Sequence, residues 1–538
     1  MKKVFTLAVL AFLITTANPY RANATFPGES IVFWDSALSD EKKDPEIMQA
    51  FKLAGEKKYA QALKILNEKI EKSPKHTTLH VMKGLVLNEM EIYDQARLSL
   101  NAAQMIEGRH PGIHYGFCEV YRNMGVSDLA ERACRVAEEI HIRSPEAHYE
   151  YAQILAATGQ MMQAIRSLAS AAELDPKNPK YHYERGMNFY YLNQYDEAEK
   201  SFQKALSLDP AHVDSGYQLA YLYAARKKSG LAKQQIERVL ATGKEHPKVQ
   251  SAKLLLEYVN KNALDKLPLK IVPHEYHVGR SKSLYQAGQY GLALIEIETA
   301  ARLKPDDLKI GEVLIGLTGF LLRLDKTEKA VKNLIRVAGE TDILTAKGYQ
   351  VLGDVEVMRS HLSEARKYYE KALNLNDPNG IARQSLNELP EKADPGTAPL
   401  GLDELFVHPV EALNRKGEIF AQYKMFKRAT SMYALVLRMK PNHLPALLNT
   451  ATAYYHSGDY DRTISILERL LLSHPNHKDI ISHRILLAQA YVKNEDHGKG
   501  LQNIEIAIKL NPAVKKAIQT NPAFDSIRKM KEYKQMIQ

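Results

Sequence analysis

Tyrosine, histidine and cysteine occur in this chain at spacings that could support chemistry. Tyr115, Tyr149, Tyr183 and Tyr217 stand 34 residues apart. Such a row offers broad apolar faces with polar tips, suited to an extended peptide or a saccharide. The competing reading is that each ring only supports packing. His80, His114, His148 and His182 keep the same spacing, and His277 holds the same place in a later copy. A histidine column invites metal or proton chemistry. If each copy is a helical hairpin, however, successive copies lie roughly 10 Å apart. That is too far for two of them to share an ion, so packing is the preferred reading. Cys118 and Cys134 are the only cysteines. In an oxidising compartment an even pair invites a disulfide. Both fall on core positions, where Cys serves as a small apolar residue. The sequence does not fix the helix separation that decides between these, and the reading favours two thiols.

Catalytic patterns are missing. No Gly-rich phosphate loop occurs, and His274-Glu275-Tyr276-His277 lacks the spacing that sets two histidines on one helix face around zinc. His474, His477 and His483 cluster near a turn without a ligand pattern. We therefore assign no catalytic residue, cofactor or metal, and read the chain as one that binds or organises other molecules.

The elements that position these residues follow from the period. Ala62, Ala96, Ala130, Ala164, Ala198 and Ala232 are each 34 residues apart. Ala50, Gly84, Cys118, Ala152, Gly186 and Ala220 run twelve residues ahead of them, and Ala103, Ala137, Ala171 and Ala205 seven behind. Antiparallel helices approach closely only where side chains are small, so unit positions 8 and 20 should face each other, with bulk at 11 and 24 filling the groove between hairpins. Gly125 and Gly159 fall where the first helix ends and the chain turns. Pro74, Pro176 and Pro210 stop the second helix. Residues 179–212 show the set best, with Gly186, Phe189, Tyr195, Ala198, Phe202, Ala205 and Pro210.

This pattern resembles the tetratricopeptide repeat. The resemblance implies an all-α, right-handed superhelical solenoid of about twelve helical hairpins. It further implies that positions 5, 9, 12 and 13 share the concave face. Tyr115, Tyr149, Tyr183, Met187, Tyr190, Tyr191, Tyr217 and Tyr221 would then form a partner-binding strip there. Some tetratricopeptide co-chaperones clamp a terminal carboxylate with Lys at position 5 and Asn at position 9; no unit here has that pair.

The units fall into blocks of six, three and three. Block one spans 43–262, with units at 43–76, 77–110, 111–144, 145–178, 179–212 and 213–246 plus an extra helix. Block two spans 263–379, with units at 274–307, 311–344 and 346–379. A Pro- and Gly-containing linker over 380–409 precedes block three at 410–514, with units at 410–443, 444–477 and 481–514. Residues 515–538 read as capping helices, which an open solenoid needs for solubility. Residues 25–42, with Trp34, read as a cap on the first hairpin.

Lys2 and Lys3, the apolar run from Val4 to Thr16, and Ala22-Asn23-Ala24 have the form of a secretory signal cleaved after Ala24. The chain is accordingly expected in the periplasm or outside the cell. The composition, 45% hydrophobic and 25% charged, is that of a globular protein. The net charge of +10 is mild for 538 residues, and nucleic acid is not an expected partner. With the exported scaffolds it resembles, the chain is expected to bind other proteins, envelope components above all, while assembling a machine for polysaccharide export, pili or protein secretion. The alternative is a protein that holds a polysaccharide or peptide directly on the tyrosine strip.

Overall fold

One backbone event punctuates every hairpin. In a computed structural model, residue 15 of successive units takes the left-handed conformation: Lys57, Glu91, Gly125, Gly159, Asn193 and Lys227, then Gly288, Ser360, Lys424, Gly458 and Glu495. The residue after it closes the helix end, as where Val126 N–H donates to the Tyr121 carbonyl at 3.0 Å. Glycine suits this position, yet several units place lysine, glutamate, asparagine or serine there, at a local cost of about 1 kcal/mol. The structure describes residues 44–538 except 109, 141–143, 243–245, 247, 268–269, 271, 340–342, 376–378, 392–408, 474–476 and 478. The signal read over 1–24, the segment 25–42 with Trp34, and His474 lie outside the described residues.

All regular structure among the described residues is helical, and consecutive helix pairs pack on one another. The chain divides into two compact units, Met1–Leu314 and Ile315–Gln538. The grouping into six, three and three has no counterpart in that division.

The first unit contains six hairpins. They are α1 (Pro45–Gly55) with α2 (Tyr59–Lys72), α3 (Thr77–Glu89) with α4 (Tyr93–Ile106), and α5 (Pro111–Asn123) with α6 (Ser127–Ile140). Then come α7 (Pro145–Ala157) with α8 (Met161–Leu174), α9 (Pro179–Tyr191) with α10 (Tyr195–Leu208), and α11 (Val213–Ala225) with α12 (Ser229–Thr242). Helix α13 (Lys248–Asn260) is followed by Asn262 at φ 50, the same turn signal, but then by a 3-10 turn at Leu264–Lys266. It is thus the first helix of a seventh repeat that lacks its second. The hairpin α14 (Pro273–Gln286) and α15 (Tyr290–Leu303) comes next.

Helix α16 (Leu308–Phe320) spans the division and precedes α17 (Leu324–Ala338). Its turn residue is Leu322 at φ 51, which places this repeat three residues earlier than the 311–344 read from small residues alone. The second unit continues with α18 (Ile343–Met358), α19 (Leu362–Asn374), α20 (Ile381–Glu388), α21 (Pro409–Gln422) and α22 (Phe426–Met439). Helix α20 lies inside the stretch read as linker; it packs on α19 and α22. Helices α23 (Leu444–His456), α24 (Tyr460–Ser473), α25 (Ile480–Lys493) and α26 (His497–Leu510) follow, then short α27 (Lys515–Thr520) and α28 (Lys531–Ile537). Ile518, Phe524, Ile527 and Tyr533 pack against Val492 and Ile504, so the tail covers the last hairpin's apolar end.

Within a hairpin the close approach differs in part from the expected one. Position 8 does meet the backbone of position 20, as where Ser281 Oγ donates to the Ala293 carbonyl at 2.7 Å. The bulk at position 24, however, turns inward onto position 8 rather than filling the groove between hairpins. A Cβ on Gly186 would stand 2.6 Å from Phe202, one on Gly353 2.4 Å from Tyr369, and one on Gly417 2.4 Å from Tyr433. Glycine at 8 is the space that an aromatic at 24 occupies.

Candidate interaction surface

The tyrosines are brought together, and the chain itself sits on them. Tyr183, Tyr217 and Tyr221 are half-buried against the core that holds Met187 and Tyr190, and Tyr276 of α14 packs on the same cluster. The Tyr191 ring meets Tyr276 edge-on at 4.7 Å and His277 at 5.4 Å. Burial raises the Tyr221 and Tyr276 hydroxyls to about 12 each, and raises those of Tyr183 and Tyr190 as well. Tyr115, Tyr149, Met187 and Tyr190 are buried outright. Tyr115 donates to Glu119 at 3.1 Å, and Tyr149 packs tilted against Tyr181 with Lys180 over its ring at 4.1 Å. None of the eight residues is exposed. The strip read as open is filled, because the truncated seventh repeat lets the next hairpin turn back onto it.

Helix α15 runs along the C-terminal ends of α5 and α7. Gly291 meets the end of α5 so closely that a Cβ would stand 2.2 Å from the Asn123 carbonyl oxygen and 2.4 Å from that of Arg122. Eight residues on, Thr299 Oγ1 donates to the Ala157 carbonyl at 2.8 Å, and Arg302 donates to that of Thr158 at 3.1 Å. These carbonyls end helices, where orphan acceptors and the negative dipole end favour hydroxyl and cation donors. Helix α14 adds charge: His277 Nδ1 lies 2.5 Å from Glu296 Oε2, and Arg280 reaches Glu296 at 2.8 Å and Glu184 of α9 at 3.5 Å. The His277 and Glu296 side chains are completely buried, and His277 Nε2 has no hydrogen-bond partner.

Residues 145–178, 179–212 and 420–488 match models of the tetratricopeptide repeat. The chain carries tetratricopeptide repeats. Several solved structures resemble it in fold. YrrB, a TPR protein with an unusual peptide-binding site, is 19% identical over 35% of this chain and 97% of its own, with a TM-score of 0.31. The C-terminal part of a TPR repeat-containing protein from Cytophaga hutchinsonii is 19% identical over 50% and 99%, with a TM-score of 0.34. PilW, a type IV pilus biogenesis factor, is 14% identical over 47% and 97%, with a TM-score of 0.24. No curated protein matches the sequence.

In tetratricopeptide terms Cys118 and Cys134 are the position 8 and 24 pair of one hairpin. The structure joins them in a disulfide with Cα atoms 4.6 Å apart. That overturns the preference for two thiols, and the reason is the inward contact of position 24 described above. The histidines of position 4 do not converge. His80 bonds the Pro74 carbonyl, His148 bonds Glu138 and His277 bonds Glu296, and among the described residues no group of three ligating side chains could hold a metal.

A second histidine column escaped notice. His110, His212, His246, His443 and His477 occupy position 34, immediately before a repeat's first helix. In each, Nδ1 accepts a backbone N–H two or three residues on, from Gly112, Ser215, Lys248, Ala446 and Asp479. Imidazole here replaces the usual Ser, Asp or Asn cap. His477 thereby carries its proton on Nε2 and donates to His483 Nδ1 at 2.7 Å. Burial, then the neighbouring His477, lowers His483 to about 4.

Proposed function

We propose that this chain is an exported scaffold that holds other proteins together in the cell envelope. The observation that carries the reading is the array of consecutive tetratricopeptide hairpins, since long stacked helices present extended surfaces to protein partners. The disulfide between the only two cysteines supports the exported half, because such bonds persist in oxidising compartments. The signal-like first 24 residues support the same half. The burial of the tyrosine row weighs against direct capture of a glycan on that strip.

Fractionation of cells producing the tagged chain, with cross-linking before lysis, tests both halves. The protein should appear outside the cytoplasm with Cys118 and Cys134 oxidised, cross-linked to defined envelope proteins. A chain recovered in the cytoplasm with both thiols free would end the exported reading, and one recovered without any cross-linked protein would end the scaffold reading.

A further inference from the structure

We propose that the α14–α15 hairpin is a displaceable internal ligand, and that the edge it covers receives a partner's helix of the same pattern. The edge consists of the C-terminal ends of α5 and α7 with Tyr183, Tyr190 and Tyr191 of α9. This deepens the scaffold reading and rests on it.

The pattern is set by what the edge now holds. Gly291 and Thr299 are eight residues apart, about 12 Å along a helix, close to the step from one hairpin to the next. A small residue is required at the first site, where the carbonyls of Arg122 and Asn123 leave no room for a Cβ. A hydroxyl is suited to the second, where Ala157 presents its carbonyl, and a cation three residues further on meets that of Thr158. The partner is therefore a helix with a small residue, a hydroxyl eight positions later and an arginine or lysine three beyond that.

The way the hairpin is held makes it exchangeable. Elsewhere in this unit the cores are alanine, leucine and aromatic rings. Here a histidine and a glutamate are wholly buried, with one imidazole nitrogen unpartnered. Burying ions costs solvation that an apolar contact of the same shape would not, so opening returns part of what closure gains. The contacts along α15 are hydrogen bonds to backbone carbonyls, which a second helix of the same pattern can make equally well.

The test uses the purified full chain and a labelled synthetic peptide of residues 288–305. Gly291→Leu drives a side chain into the Asn123 carbonyl, and the double variant Thr299→Val with Arg302→Met removes the hydrogen bonds without added bulk. In both, amide exchange should rise across residues 273–303 while α1–α4 and residues 409–538 stay protected. The peptide should bind the variants at least about tenfold more tightly than the parent, since only the open fraction binds. The proposal is overturned if the peptide binds parent and variants alike, or binds none while exchange shows the hairpin released. It is equally overturned if the double variant, folded by circular dichroism, keeps 273–303 as protected as the parent. Because the probe comes from this chain alone, failure here leaves the cross-linking result untouched.

Discussion

The repeat array is interrupted twice, and the two interruptions resolve in opposite ways. After α13 the second helix of a repeat is missing, and the following hairpin turns back across four repeats to lie on α5, α7 and α9. Between α19 and α21 there is instead an insertion, and stacking continues across it. Helix α18 packs on α21 as one repeat packs on the next. One apolar cluster runs from Val357 and Tyr369 through Ala382 to Phe420 and Tyr433. Deleting a helix exposes a face that something must cover, whereas inserting one leaves both faces available. What holds the two regions differs accordingly. The first uses helix-end carbonyls and a buried His277–Glu296 pair. The second uses Asp354, which accepts from Tyr369 at 2.8 Å, pairs with Lys416 at 2.9 Å and binds Arg428. Burial pushes the Asp354 carboxyl up, but Arg428 and Lys416 outweigh it and hold it below the ordinary value. Glu388, the last residue of α20, accepts the first-turn N–H groups of Lys427 and Arg428, so the inserted helix caps α22.

Four substitutions would break or sharpen this contrast. The largest effect should come from Asp354→Ala, which leaves Arg428 and Lys416 buried without an anion and costs about 3–5 kcal/mol. Urea unfolding should show the loss, and amide exchange should place it in α18–α22 while α1–α15 keep their protection. A loss shared equally by the first unit would mean that the two interruptions are not separate devices. Next is Cys118→Ala with Cys134→Leu, the Ala–Leu pairing already seen at Ala152 and Leu168. It should cost about 3 kcal/mol, the entropy of opening a loop closed over 16 residues. It should also loosen α15, whose Gly291 rests on the same hairpin.

The third concerns pH. Burial lowers the His212 pKa, so its folded form stays neutral and its cap on α11 is intact above the unfolded value near 6.5. This contribution is lost as pH falls from there towards the folded pKa. His212→Asn should keep the cap and abolish that part of the acid sensitivity, a difference on the order of 1 kcal/mol. Parallel melting curves for parent and variant from pH 8 to 5 would contradict the cap's role. The smallest effect is a gain: Lys227→Gly and Lys424→Gly, one turn in each unit, should each stabilise by about 0.5 kcal/mol by relieving the left-handed backbone.

The hairpins were legible because close packing of two helices leaves a 34-residue trace of small residues that composition cannot imitate. The tyrosine cluster was legible for the same reason, as residues on one helix face recur with the period. What covers it was not. Tyr276, Arg280, Gly291, Thr299 and Arg302 act on helices 96 to 144 residues away, and no periodicity links partners in different turns of an array. The disulfide lay between these extremes. The 8 and 24 pairing was present at Gly186 and Phe202, but bulk at 24 reads equally as groove filler until the contact is seen. The histidine caps were available at position 34 and were passed over because imidazole is an uncommon cap. The register of α16 and α17 was misplaced because Thr318 and Ala330 mimic the small-residue spacing, while the turn at Leu322 has no glycine or asparagine to mark it.

The fold-back of the hairpin after α13 is the claim on which the rest depends, and tyrosine photo-cross-linking tests it most directly. Tyr191 and Tyr276 are 85 positions apart in sequence, half-buried, with ring centroids 4.7 Å apart. Brief photo-oxidation of the native chain, followed by peptide mapping, should yield a Tyr191–Tyr276 dityrosine that disappears in Gly291→Leu. Cross-links from Tyr191 that reach only α7–α12, with Tyr276 unlinked in the native chain, would contradict it.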